Sequence, residues 1–444
     1  MRLTQALSDF IKSESFGGIF LAISTLLALI IANSPLQNLY HEFFHLRFSF
    51  SLDLSPFHLN DLKFSMSMHD FINDILMSFF FLLVGLEIKR EMLFGELNSV
   101  SKAAFPAIAA LGGMIVPGAI YYALNFNTPS YHGFGIPMAT DIAFALGVML
   151  MLGKRVPLAL KIFLVTLAVV DDLGAIVVIA LFYGGEIHFA WLFASALVVI
   201  ILSLCNYFGV KMLRVYILLG ILLWIFVHLS GIHATIAAVV LAFCIPVRAT
   251  QDFKALKGQI KTQLAELDSI DSKLESKNSK PASILLDAYR VEFIDKIQRN
   301  TQNTQNPLLR LEHFLQPYSA YFIMPLFAFA NAGVSVSGDF DFNIDRIFFG
   351  IFLGLLVGKP VGIFLACFLC EKLRIAVRPS GVSWLHILGA GMLAGIGFTM
   401  SLFVSALAFD NESAKELAKV SILIASLSSC IIGVIFLLLV GSKR

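Results

Sequence analysis

Residues 162–183 read IFLVTLAVVDDLGAIVVIALFY, an apolar run with two adjacent acids, Asp171 and Asp172, at its centre. As a helix rising about 1.5 Å per residue it spans roughly 33 Å, the thickness of a bilayer's hydrocarbon core. Both carboxyls then lie near the membrane midplane, where a charged side chain costs about 2.5–3.5 kcal/mol on translocon scales. A doubled acid at that depth calls for a functional reason. Neighbours on a helix point about 100° apart, so one acid can face a water-filled cavity while the other turns toward a partner. The bland alternative is an Asp that caps or hydrogen-bonds within a helix bundle.

The rest of the chain agrees with a membrane setting. Of 444 residues, 58% are hydrophobic and 14% are charged, with mean hydropathy +0.83, which excludes an ordinary soluble domain and predicts a polytopic membrane protein. A net charge of +2 gives no reason to expect nucleic acid as a partner. The opening MRLTQALSDFIKSESFGG is polar and reads as a surface segment without a cleavable signal. The cysteines at 205, 244, 367, 370 and 430 fall in or beside apolar runs and read as buried thiols. Cys367 and Cys370 form a CxxC with no His or second pair nearby, so neither a metal nor any other cofactor is expected.

Twelve apolar stretches are long enough, or nearly so, to cross: 16–33, 71–93, 104–124, 134–152, 158–183, 189–208, 213–229, 232–247, 316–337, 346–370, 384–409 and 416–441. An even number puts both termini on one side. The loops on the opposite side hold only Arg47, Lys63, Arg346, Lys415 and Lys419, while the other side carries nearly all the remaining Lys and Arg. By the positive-inside rule both termini are cytoplasmic. The expected fold class is an all-α polytopic membrane protein of twelve transmembrane helices plus a small periplasmic β-hairpin. Its parts are 1–247, with eight spans and a hairpin at 46–66; a partly helical cytoplasmic insertion at 248–315; and 316–444, with four spans.

The hairpin is read from period-two alternation, Phe48, Phe50, Leu52 and then Leu62, Phe64, Met66, about a turn near Ser55 to Asn60. It is either a lid over the protein's outer mouth or an edge that pairs with a second copy. In the insertion, Phe253, Leu256, Ile260, Leu267, Ile270 and Leu274 keep heptad spacing with Gln263 as a polar interruption, and Ile284 to Ile297 gives a second amphipathic run. A helical hairpin folded on itself competes there with a regulatory or partner-binding module.

Two spans are built to break. The fourth has Gly133, Gly135 and Pro137 just before Thr140 and Asp141, so its helix should unwind near Ala139 to Asp141. The eleventh carries Gly395, Gly397, Thr399 and Ser401 in GAGMLAGIGFTMS. Paired interruptions in the two halves point to an inverted-repeat transporter with its site between them. Glycine-mediated helix packing is the competing account, and it leaves Asp141 unexplained. The tenth span, LLVGKPVGIF, holds Lys359 midway along its apolar run, and a lone buried lysine wants an anion, either Asp171 or Asp172. Half-helix ends at the midplane would also set Asp141 against positive ends and Lys359 against negative ones. The second span begins with Asp74 and ends with Glu87, Lys89, Arg90 and Glu91, which form either ordinary interfacial charge or a cation-gathering, pH-sensing funnel. His233 reads as a structural histidine.

Taken together, FLLVGLEIKRE, PMATDIAFALGV, LAVVDDLGAI, SGIHATIA, LEHFLQP, PLFAFANAGVS and LLVGKPVGI resemble the NhaA-type sodium/proton antiporters of bacteria over nearly all twelve spans. The resemblance implies an ion- and proton-binding site at Asp172 with Asp171, the latter pairing with Lys359, and with Thr140 and Asp141 on crossed, unwound helices. It implies an ion pathway through Asp74 and pH-sensing positions at Glu87, Arg90, Glu91 and Glu312. It also implies a dimer contact through the hairpin. The long loop after the eighth span is similar to the Helicobacter type of the family, and Gln316 stands where histidine is common.

The expected function is therefore an inner-membrane antiporter that extrudes Na+ or Li+ in exchange for protons, electrogenic and regulated by pH, and not an enzyme. Carboxylates suit it because they are hard oxygen ligands when ionised and proton carriers when not. An intramembrane aspartyl protease would place its two acids on separate helices, typically with a GxGD run. A sodium-coupled symporter for an organic solute would show substrate-dependent sodium uptake.

Overall fold

In hydrocarbon each backbone N–H and C=O must find its partner within the protein, which favours helices along apolar stretches. The computed structural model describes residues 14–52, 62–247, 256–265, 291, 293–297, 301, 305–334 and 345–441. In chain order these form α1 (Glu14–Ala32), α2 (Gln37–His45), β1 (Arg47–Leu52), β2 (Leu62–Ser67), α3 (Met68–Phe94) and α4 (Val100–Leu124). A 3₁₀ segment, Pro129–Met138, leads to α5 (Ile142–Met151), followed by α6 (Leu158–Phe182), α7 (Phe189–Tyr207), α8 (Leu213–Leu229) and α9 (Thr235–Cys244). After the insertion come α10 (307–331), α11 (Arg346–Lys372), α12 (Trp384–Ala394), α13 (Phe398–Ala408) and α14 (Glu412–Val440). Seven helices among the described residues are long and apolar enough to cross a membrane, and up to nine spans result if each bent pair counts as one. The protein is a multi-pass membrane protein.

Each of the twelve apolar stretches carries a helix or a helix pair, with three differences from expectation. The first stretch is followed by α2, bent 112° from α1. Its Tyr40 and Phe44 are buried, and the Tyr40 hydroxyl donates to Phe329 O at 2.5 Å. Leu36, Leu39, Tyr40, Phe43 and Phe44 keep helical spacing, a signal that could have announced this short helix. The eighth span is only ten residues of helix, because Gly231 turns the chain with φ of +84° before it and Pro246 follows its end. The ninth begins at Pro307, so Glu312 lies within its helix and not ahead of it.

Prolines shape the helices that hold the site. A proline ring lacks an N–H and clashes with the carbonyl four residues back, and a widened turn relieves both. The π-turn Ser319–Ile323 precedes Met324 and Pro325, and the π-turn Gly354–Gly358 precedes Lys359 and Pro360. A third π-segment, Phe71–Leu76, carries Asp74. Helices α4 and α11 meet backbone to backbone, since a Cβ on Gly112 would strike Gly362 O and the side chain of Ala366. That contact seats the helix of Lys359 against the bundle.

The strands pair antiparallel, with Phe48 opposite Met66, as the alternation predicts; the expected turn near Ser55 to Asn60 lies outside the described residues. In the insertion, residues 256–265 are helical with Leu256 buried, residues 293–297 are also helical, and Phe253, Leu267, Ile270 and Leu274 lie outside the described residues. All five cysteines are free; Cys244, Cys367 and Cys370 are buried, whereas Cys205 and Cys430 are only partly so.

Candidate functional site

The two interrupted spans cross at their breaks. Residues 139–141 leave the 3₁₀ segment in extended conformation, and the Asp141 N–H donates to Ile396 O at 2.7 Å, within the gap between α12 and α13. The Thr140 hydroxyl donates to Ala394 O, at the end of α12, at 3.1 Å, and the Ser401 hydroxyl donates to Ile136 O at 2.8 Å. Only glycine fits at 397, where a Cβ would meet Ser401 and lie 3.0 Å from Ala139 O. Four half-helix ends therefore converge, and their orphan backbone groups need counter-charge.

One carboxylate supplies it at both N-termini. Asp141 Oδ1 accepts from Phe144 N–H at 3.0 Å, capping α5, while Oδ2 accepts from the Thr399 N–H at 3.1 Å and its hydroxyl at 2.5 Å, at the start of α13. At the opposite pole the Lys359 ammonium donates to Met138 O, the last carbonyl of the 3₁₀ segment. Thr399 entered the sequence reading only as part of an interruption, and nothing in one chain's pattern could pair it with Asp141, 258 residues away.

Lys359 also donates to Asp171 Oδ2 at 2.8 Å, with both side chains fully buried. The other oxygen, Asp171 Oδ1, and Asp172 Oδ1 are buried without a hydrogen-bond partner. Two carboxyls thus share one cation, next to the crossing. Leaving a charged oxygen buried and unpaired costs several kcal/mol, so these two oxygens favour a proton or a cation as company. Hard carboxylate, hydroxyl and carbonyl oxygens suit a hard cation.

The other predicted residues lie at the two ends of α3. Asp74 Oδ1 sits 3.6 Å from His233 Nε2, whose Nδ1 meets the Thr235 hydroxyl at 2.8 Å. The Asp74 carbonyl accepts from Ser78 at 2.5 Å, and Ser78 in turn accepts from Trp224 Nε1 at 2.8 Å. His233, read as a structural histidine, faces the acid of the second span, a contact with no local signal in the sequence. At the other end, Arg90 bonds Glu91 at 3.0 Å and makes a second ion pair with Glu312 from α10. Burial pushes the Glu312 carboxyl up from its usual range, against the pull of Arg90 and His313. Glu87 lies one turn before Arg90 and is half-buried.

A membrane protein whose interior sets paired acids and an opposed lysine beside two crossing broken helices is a secondary transporter in class. The chain belongs to the Na+/H+ antiporter 1 family, whose sequence profile matches residues 8–437. It is 58% identical over 440 residues to "Na(+)/H(+) antiporter NhaA 2" of Helicobacter hepaticus, covering 99% of this chain and 96% of that protein. It is 55% identical over 443 residues to "Na(+)/H(+) antiporter NhaA" of Helicobacter pylori strain G27, covering 99% and 97%. The protein of the same name from Wolinella succinogenes is 53% identical over 431 residues, covering 97% and 92%.

Proposed function

We propose that this chain exchanges Na+ for protons across a bacterial inner membrane, with Li+ as an alternative cargo. The observation that carries this reading is the pair Asp171 and Asp172, buried beside a single lysine with an unpartnered oxygen on each. Na+ arriving from the cytoplasm displaces protons from the two carboxyls, with Asp172 as the principal ligand and Asp171 released in part from Lys359. The loaded site then changes exposure as the half-helices at the crossing move; on the outer side protons displace Na+ and return inward. The empty, charged site does not cross, because moving unpaired buried charge is the costliest step. Thr140 and Asp141 hold the crossing together, and Asp74 with His233 lies on the outer ion path. Glu87, Arg90, Glu91 and Glu312 form the pH sensor.

The helices are arranged as twelve spans in two inverted repeats, with both termini cytoplasmic. Domain-wise, 1–247 and 316–444 form the transport unit and 248–315 is a cytoplasmic accessory. Two copies associate through the hairpin at 46–66, which is testable by crosslinking: removing Leu46 to Met66 should lower the dimer fraction while exchange at saturating Na+ persists. An unchanged dimer fraction would leave the hairpin as a lid only.

Two carboxyls that release two protons for one Na+ make each cycle move net charge, a coupled titration shared with Lys359. At ~2.3 kcal/mol per charge per 100 mV, membrane potential then helps drive Na+ out. The test is Na+-induced collapse of a pH gradient in everted vesicles, repeated in proteoliposomes with a potassium potential set by valinomycin. Two protons leave for each Na+ that enters in this assay, so collapse that accelerates with an inside-positive potential is expected, and rates indifferent to it would defeat the two-carboxyl count.

A further inference from the structure

Lys89 is a buried cation with no part in the exchange cycle above. Its ammonium donates to Phe243 O at 2.7 Å and Ile245 O at 2.5 Å, and reaches Ala242 O at 3.5 Å. These carbonyls belong to the last turn and exit of α9. A helix cannot satisfy its own final carbonyls, and Pro246, which follows, has no N–H to offer them. Lys89 is thus a C-terminal cap for α9 supplied by another helix, where a cation also meets the negative end of the helix dipole.

The next residue, Arg90, points about 100° round α3 and holds Glu312 on α10. Helix α9 is the last labelled element before the charged insertion, and α10 is the first after it. Two consecutive side chains of α3 therefore grip the two roots of that insertion, one by carbonyls and one by a carboxylate. The charged and titratable groups around this grip are the Cys244 thiol on α9, Glu312 and His313 on α10, and Glu87, Arg90 and Glu91 on α3 itself.

We propose that Lys89 is a positioning residue for the cytoplasmic pH response: with Arg90 it makes the end of α3 a crossbar that ties α9 to α10. When Glu312 is ionised, Arg90 is held from α10; when Glu312 is neutral, that hold slackens and the end of α3 is free to shift. Because Lys89 is bolted to α9, the shift reaches both helices that flank the insertion. This rests on the pH-regulated antiport proposed above.

The test is the pH profile of Na+/H+ exchange in everted vesicles. Lys89→Met, which keeps the aliphatic stem and removes the cap, should move the midpoint by about one pH unit. Lys89→Arg, which restores donors to the carbonyls, should return it. Lys89→Met combined with Glu312→Gln should shift the midpoint no further than Glu312→Gln alone, because both cut one linkage. Should Lys89→Met fail to reach the membrane, Lys89→Gln, whose shorter neutral side chain keeps only a weakened cap, should shift the midpoint in the same direction by less, and no shift would count against the crossbar. An unmoved midpoint, or shifts that simply add, would overturn the crossbar. Exchange that is active but flat with pH in the unsubstituted protein would instead remove the regulatory reading, and the inference with it, while leaving antiport intact.

Discussion

The helix crossing and the C-terminal end of α3 both set acids against a base and differ in their access to water. At the crossing Asp171 and Asp172 accompany a single Lys359, and at the end of α3 Glu91 and Glu312 accompany a single Arg90. Each sets a base against two acids, with Asp141 also at the crossing and Glu87 and Lys89 also at the end of α3. The Lys359 and Asp171 side chains are 0% exposed, whereas the Arg90 side chain is 35% exposed and that of Glu91 15%, with Glu312 the one buried member at 2%. In the dry cluster the surplus negative charge has no solvent to screen it, so a proton or cation must accompany it. In the wet cluster water reaches Arg90 and Glu91 and screens them, while Glu312 stays buried against Arg90. Under the function proposed above, the first cluster carries cargo and the second reports conditions.

The contrast is broken most severely at Asp172. Asp172→Asn keeps the shape of the side chain but can neither hold a proton at neutral pH nor present a charged oxygen, so exchange should fall to background with folding preserved. Vesicles that still collapse a pH gradient on Na+ addition would mean that Asp171 alone carries the cargo.

A smaller but still large effect is expected at Lys359. Lys359→Met leaves a buried acid without its base, at a cost of about 3–5 kcal/mol. Asp171 can then retain its own proton, so exchange should continue at a lower rate and lose its response to membrane potential. Thermal unfolding in detergent reports the first effect, and valinomycin-set potentials report the second. A melting temperature equal to that of the unsubstituted protein would argue that the Lys359–Asp171 pair contributes no net stability.

The smallest effect belongs to the wet cluster. Burial raises the Glu312 titration, so the carboxyl is neutral at low pH and ionises, completing its pair with Arg90, as pH climbs through that raised value. Under the pH-regulated antiport proposed above, which shuts off in acid, the neutral form is the resting state. Glu312→Gln mimics that form permanently and should move the activation midpoint toward higher pH without lowering the maximal rate. A midpoint moved toward lower pH would reverse the assignment.

Much of the architecture was open to reading from local chemistry. Spans follow from runs of apolar residues, the breaks from Pro137 and the glycines at 395 and 397, and the unusual character of Asp171, Asp172 and Lys359 from charge at membrane depth. Each signal is contained within about 20 residues and expresses a cost that the surrounding bilayer imposes wherever the helix lies. Short or amphipathic elements were harder: α2 spans only nine residues, and α9 is cut short by a glycine turn at one end and a proline at the other.

What tertiary structure alone decided is which groups meet. Composition leaves Lys359 free to choose between Asp171 and Asp172; the packing of α11 on α4 through Gly362 and Gly112, with the π-turn before Lys359, delivers the ammonium to Asp171 and Met138. It likewise decided that Asp141 caps α13 as well as its own helix, that His233 faces Asp74, and that Lys89 caps α9. These contacts join residues more than a hundred positions apart, where no periodicity connects them. The sequence by itself determined which side chains would be costly to bury, because that cost depends only on the residue and its depth. Which partner offsets the cost depends on the approach of a second helix, and that is settled only when the bundle closes.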